Sequence, residues 1–347
     1  MRRHKRAFFA AAGCLTALVA LTPAAMASSP NNPEKYDNVM TGHGIDGDGN
    51  PVRSLADAEN VQNFWTPERM RQAKSLDGVL VNRDGSTETV GAAPAAAQPI
   101  SSPPVVPPEM TTAGQVSDSD SPVVGRMFAQ DPTSGGYLQC SASVVGGSSG
   151  NVVLTAAHCL WDPAAKVQYT NVVFAPGYHD GVAPYGLWSQ RDWLWHVQWH
   201  DHNKWHYDYG YIVLFPRSDG TRIVDRVGAL GFRVNEGSFE NIDAMGYPAL
   251  SPYDGEQQKR DNAYAEKVDF VVGAPPELDG FFERIVSDFT GGSSGGPWVA
   301  EYSTTTRVGW AQGVISFSFS GDPYQFSPYF DDETWRLYEM AGRLPLS

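Results

Sequence analysis

The segment Thr290-Gly291-Gly292-Ser293-Ser294-Gly295-Gly296-Pro297 places a serine hydroxyl between glycines, with a proline closing the run. Glycine lets the backbone turn sharply and lets a second chain approach it closely. A hydroxyl on such a turn, flanked by outward N–H groups, is what acyl transfer requires. Serine is a poor nucleophile at neutral pH and needs a base within hydrogen-bond reach, a task suited to imidazole. A buried carboxylate can then fix the imidazole tautomer. Both partners occur upstream: His158 in Leu154-Thr155-Ala156-Ala157-His158-Cys159, and Asp208 in Tyr207-Asp208-Tyr209-Gly210-Tyr211-Ile212-Val213-Leu214. Asp192 and Asp201 lie near Asp208, and any of the three could be a turn residue, but Asp208 stands just before the β-type run Tyr209–Leu214.

That order, His then Asp then Ser in these contexts, resembles the chymotrypsin-like serine peptidases, and most of all the bacterial secreted branch related to glutamyl endopeptidase. The resemblance runs from about Val123 to the C-terminus. It implies an all-β fold of two antiparallel six-stranded β-barrels with the site between them, followed by a C-terminal helix. It also implies Ser294 as nucleophile, His158 as general base and acid, and Asp208 as the orienting carboxylate. The N–H groups of Gly292 and Ser294 would form the oxyanion hole. Gly313-Val314-Ile315-Ser316-Phe317-Ser318 resembles the edge strand that pairs with an extended substrate, with Ser316 behind the triad and Phe317 as a pocket wall. One departure stands out. Ser293 occupies the position where the trypsin branch carries an aspartate that receives the new N-terminal amine, so activation of the trypsinogen type is not expected. Val123-Val124-Gly125 resembles a mature start.

The resemblance also bears on specificity. Asp288, six residues before Ser294, falls at the pocket-floor position at which a carboxylate selects Arg or Lys; Thr290 and Ser318 complete the expected substrate-binding set of Asp288, Thr290, Ser316, Phe317 and Ser318. Phe289 and Thr290 differ from trypsin's pocket wall, and an internal partner for Asp288 would remove the preference for a cation. Glutamyl specificity in the family uses a histidine of the second barrel, whereas all eight histidines here precede position 207.

Composition narrows the rest. Lys+Arg is 25 against Asp+Glu 39, a net charge of −14. That argues against nucleic acid and anionic membrane surfaces, which attract basic patches. Gly 35 and Pro 25, with many aromatics, suit a turn-rich β protein. Short β-type runs recur from Val123: Val123–Phe128, Gln139–Val145, Val152–Leu154, Val167–Phe174, Trp188–Val197, Tyr209–Leu214, Val268–Val272, Pro297–Tyr302 and Val308–Ser316. Asp331–Ala341 reads as a terminal helix.

The N-terminus reads as an export signal over residues 1–27. Arg2, Arg3, Lys5 and Arg6 precede an apolar run, and Ala25-Met26-Ala27 is a small-residue cleavage site. Arg2-Arg3 and Cys14 invite twin-arginine and lipoprotein readings, but the surrounding residues fit the first poorly and the apolar core runs on past Cys14. Cleavage removes Cys14 and leaves Cys140 and Cys159, which read as one disulfide in an exported protein. Residues 28–121 show no sustained apolar period beyond a helical pattern at Ser54–Lys74, and end in an Ala/Pro-rich linker. They read as a weakly structured propeptide, the alternative being a spacer with no inhibitory role. The peptidase domain is expected at 122–347, with barrels at about 122–235 and 236–330 and a helix at about 331–342.

His196, His200, His202 and His206 fall close together, and i,i+4 spacing on a helix could present imidazole pairs to zinc. The interleaved Trp193, Trp195, Trp199 and Trp205, with no cysteine partners or HExxH-type glutamate, argue instead for a packed segment shaping the cleft. No metal and no cofactor are expected. The sequence thus predicts a secreted, monomeric serine endopeptidase made as a precursor, acting on protein or peptide substrates. The rival reading is a catalytically silent binding protein on the same scaffold. Such proteins lose a triad member or the glycine-rich segment, and this chain retains them all.

Overall fold

The computed structural model describes residues 34–36, 38–76, 80–81, 87–90, 97–108, 120–237, 239–272 and 276–344. The expected export signal, with Cys14, lies outside them.

Part of the stretch expected to be a weakly structured lead-in is regular structure. Strand β1 (Val39–His43) is followed by helix α1 (Leu55–Phe64) and helix α2 (Pro67–Gln72). The single helical pattern at Ser54–Lys74 is therefore two helices. Ser54 caps the first, its hydroxyl accepting from the Asp57 N–H while the Asp57 carboxylate accepts from the Ser54 N–H. The break falls at Trp65-Thr66-Pro67, where Thr66 caps the second helix and Pro67, lacking an N–H, sits in its first turn.

The first barrel follows: β2 (Val124–Gln130), β3 (Tyr137–Gly146), β4 (Val152–Thr155), β5 (Thr170–Pro176), β6 (Trp188–His196) and β7 (Gly210–Leu214). Pairing runs β2–β3–β4–β7–β6–β5 and returns to β2, so six antiparallel strands close on themselves. The sequence explains why: β4 (Val-Val-Leu-Thr) and β7 (Gly-Tyr-Ile-Val-Leu) are buried throughout and rich in β-branched and aromatic residues. The seam between β5 and β6 is short, with Val173 opposite Ser189 and Phe174 opposite Trp188. Strand β1 takes over along β6, from Asp192 opposite His43 to His196 opposite Val39.

The second half is one curved sheet of β8 (Gly231–Val234), β9 (Phe239–Gly246), β10 (Lys259–Val272), β11 (Phe281–Val286), β12 (Pro297–Ser303), β13 (Val308–Val314), β14 (Phe317–Phe319) and β15 (Tyr324–Pro328). Its order is β14-β15-β11-β10-β9-β12-β13-β8. N-terminal pieces join it too: Ile100–Ser102 pairs with β8, Thr87–Val90 with β10, and Leu80–Val81 lies parallel to β14. Within the described part of the proline-rich stretch, Val105 is docked by reciprocal 2.9 Å hydrogen bonds with Ala229.

The terminal helix α4 (Asp332–Arg343) is capped by Asp331, whose carboxylate accepts from the N–H groups of Glu333 and Thr334. Leu337, Tyr338 and Ala341 join the main core.

Candidate active site

Asp208 follows a 3₁₀ turn at Trp205–Tyr207 and enters β7 fully buried. Three donors converge on its carboxylate. The His158 N–H donates to Oδ1 at 2.8 Å, His158 Nδ1 lies 2.7 Å from Oδ2, and Ser316 Oγ donates to Oδ2 at 2.5 Å. An ionised carboxylate so far from water needs such partners. With Nδ1 directed at Asp208, the other ring nitrogen, Nε2, has no hydrogen-bond partner among the described residues. His158 itself sits in the turn Ala157–Cys159 that terminates β4. The Trp205 ring stands between it and the second sheet, 6.2 Å from the imidazole and 5.3 Å from Phe317, centroid to centroid.

Ser294 is held against that turn by its own backbone. Its carbonyl accepts from Ser141 N–H at 2.8 Å, and Cys159 Sγ lies 3.6 Å from the same oxygen. The next residue shows why glycine is required. Gly295 has φ +78°, and a Cβ there would stand 2.1 Å from Thr155 Oγ1 and 2.8 Å from Ala156 N. The serine turn and the histidine turn are thus in direct backbone contact. Gly292, at φ +96°, faces the Tyr247 carbonyl, which a Cβ would meet at 2.7 Å. Among the described residues no acceptor takes the N–H of Gly292 or of Ser294. Ser293, standing where trypsin-type enzymes carry aspartate, is tied locally: its hydroxyl donates to the Thr290 carbonyl at 2.6 Å. Cys140 and Cys159 are disulfide-bonded, with 6.2 Å between Cα atoms, which pins β3 to the histidine turn. Their sulfurs lie close to His158 but, being oxidised, are not metal ligands.

Beside Ser294 opens a cleft of about 510 Å³, whose lining includes Asp288, Thr290, Ser293, Ser318, Phe319 and Asp322. Among the described residues no Lys, Arg or His lines it. Asp288 is exposed at the cleft, not buried, and accepts from Tyr253 Oη at 2.8 Å. The Thr290 hydroxyl is bound to the Leu250 backbone, accepting from its N–H at 3.0 Å. Of the sequence-predicted set, Asp288, Thr290 and Ser318 line the cleft. Ser316 instead supports Asp208, and Phe317 is buried against Phe282, Phe326 and Trp205. Phe319, which the sequence did not single out, takes the wall position. Phe317 and Phe319, two apart on β14, share its buried face and both pack on Phe326, while Ser318 between them points to the other face.

The histidine cluster is dispersed. His196 caps helix α3 (Val197–His202), its Nδ1 accepting from Gln198 N–H at 3.1 Å, and stacks on Tyr207 at 3.9 Å. Burial pushes its imidazole down to about 4. His200 stacks on Trp161 at 4.4 Å. His206 Nδ1 lies 2.9 Å from the Phe281 carbonyl and its Nε2 3.7 Å from Asp331. His196 and His206 thus share the Tyr207 ring, whereas His200 packs on Trp161.

A closed six-strand barrel joined to a second β sheet, with a His–Asp pair on one half and a glycine-flanked serine from the other against it, is the chymotrypsin-like serine protease fold. Solved structures agree. A thermostable serine protease, AL20, from an extremophilic microorganism aligns with TM-score 0.58 at 28% identity, over 65% of this chain and 100% of its own. The protease Anisep from Arthrobacter nicotinovorans aligns with TM-score 0.58 at 28% identity, over 65% of this chain and 98% of its own. No protein-family model matches the chain, and no curated protein does.

Proposed function

We propose that the protein is a secreted serine endopeptidase that uses Ser294, His158 and Asp208. The observation that carries this reading is the fixed imidazole: Asp208 holds His158 through both its backbone N–H and Nδ1, Nε2 has no hydrogen-bond partner among the described residues, and Sγ of the next residue, Cys159, lies 3.6 Å from the Ser294 carbonyl oxygen. In the proposed reaction, Ser294 Oγ attacks the peptide carbonyl carbon and its proton passes to His158 Nε2. The N–H groups of Gly292 and Ser294 stabilise the oxyanion. The C–N bond breaks as His158 returns the proton to the leaving amine, giving an acyl-enzyme. Water then attacks the ester, losing its proton to His158, and Ser294 recovers that proton as the acid leaves. Serine proteases among the structural relatives support the peptidase reading.

Asp288 lines a cleft that, among the described residues, no Lys, Arg or His lines, which favours Arg or Lys before the scissile bond. The bond from Tyr253 and the exposure of Asp288 weaken that preference relative to a buried, unpaired carboxylate. The N-terminal region fits a precursor: Leu80 and Val81 lie in register with Ser318 and Phe319, on the edge that an extended substrate would use.

Fluorogenic peptides varied at the residue before the scissile bond, assayed with processed enzyme and its Ser294→Ala variant, test this. Cleavage after Arg or Lys, lost in the variant together with fluorophosphonate labelling, is the expected outcome. Cleavage after other residues removes the basic preference. Hydrolysis retained by Ser294→Ala, or processed protein that neither cleaves nor labels, overturns the assignment.

A further inference from the structure

Residues 38–76 meet the first barrel as core meets core. Val39, Met40, Val52, Ala58, Val61, Trp65, Met70 and Ala73 are each less than 8% exposed and belong to the same apolar cluster as Phe128, Trp188, Trp193 and Trp195. Strand β1 pairs with β6 where β5 has diverged from it, so the segment fills a gap in the barrel wall. Buried polar groups of the barrel find their partners there. Ser189 Oγ donates to the Ala58 carbonyl at 2.6 Å, Trp193 Nε1 to the His43 carbonyl at 3.0 Å, and Trp65 Nε1 donates to the Asn171 carbonyl at 2.7 Å. Backbone bonds add to these: Gly44 N–H to Arg191 O and Asn171 N–H to Ile45 O, both 2.8 Å. Removing the segment would expose a strand edge and several aromatic rings, and would leave buried donors without acceptors.

A propeptide that only blocks a cleft has no need of such an interface. We propose that residues 38–76 are a permanent complement of the first barrel: cutting the chain downstream of Leu76 leaves this strand and its two helices bound noncovalently. The surface formed by β6, β5 and the start of β3 is then a docking site whose partner is the chain's own N-terminal fragment.

The test places a site-specific protease recognition sequence between Leu76 and Leu80 in the full-length Ser294→Ala protein, so that binding is read without self-digestion and independently of the catalytic assignment. After the cut, size-exclusion chromatography in native buffer and in rising denaturant follows the fragment. The expected result is co-elution, with release only in the denaturant range where the remainder unfolds. The Trp65→Ala variant should bind the fragment at least roughly 10-fold more weakly, while its uncut form still unfolds cooperatively. Release of the fragment in native buffer, with the remainder folded, overturns the proposal. So does fragment retention unchanged by Trp65→Ala.

Discussion

Ser316 Oγ donates to Asp208 Oδ2 at 2.5 Å, and through this bond the second sheet reaches the carboxylate that orients His158. The two residues are 108 positions apart. Ser316 lies between β13 and β14, so the segment leading into β14 also braces the His–Asp pair.

Ser316→Ala removes one of three donors from a buried carboxylate. Hydrogen bonds to charged groups are worth about 1.5–3 kcal/mol, and each 1.4 kcal/mol is a factor of about ten. We expect kcat/KM to fall by roughly 10- to 100-fold on the best peptide, mainly in kcat. Steady-state kinetics check this, and an unchanged kcat would remove Ser316 from its positioning role.

Gly295→Ala places a methyl group where the serine turn touches Thr155, at a backbone φ of +78°. The first contact is a hydroxyl, but the Ser141 carbonyl at 2.5 Å and the Ala156 nitrogen at 2.8 Å are backbone and cannot rotate away. Overpacking and left-handed strain together cost roughly 3 kcal/mol. A denaturant midpoint lowered accordingly, with activity lost, is the expected result.

The Cys140–Cys159 bridge closes a loop with sequence separation 19. Paired Cys→Ser replacement should destabilise by about 3 kcal/mol in the chain-entropy model. Because the bridge sits behind the His158 turn, activity should fall at temperatures below the new Tm. Calorimetry alongside a peptide assay separates the two effects.

His196 gives a pH dependence of defined sign. Burial holds its folded-state value at about 4, below the ordinary 6.5, so its contribution to stability is present above pH 6.5 and lost as pH falls through 4. Protonation of Nδ1 would also break the bond from Gln198 N–H. His196→Asn keeps a capping acceptor without a titrating ring. The wild-type Tm should therefore fall more steeply than the variant's between pH 7 and pH 4. Parallel slopes would show that His196 is not a source of acid sensitivity.

Much of the first barrel was legible in the chain. Strands β2 to β7 coincide with apolar, β-branched runs, because a buried strand must carry such residues wherever it lies. Strands β8, β9, β11 and β15 and the first part of β10 were not. Phe239–Gly246 and Lys259–Val272 carry Glu, Asn, Asp, Arg and Lys, and their strand character comes from pairing with each other, Phe239 opposite Glu266 through Gly246 opposite Lys259. Cross-strand pairing outweighs local propensity there.

By itself the sequence determined the three chemical groups and the glycines beside Ser294, because only glycine tolerates the left-handed backbone and close approach that such a turn demands. It also determined the β-rich class and, through Cys140 and Cys159, pointed to the disulfide. Tertiary structure alone decided which residues of β14 line the cleft, Ser318 and Phe319 but not Phe317, since Phe317 and Phe319 share one face and differ only in position along the strand. It alone decided that Asp288 is exposed and bonded to Tyr253. And it alone built residues 38–76 into the barrel, for their apolar positions are too sparse to form a core until β6 and its tryptophans supply the other half.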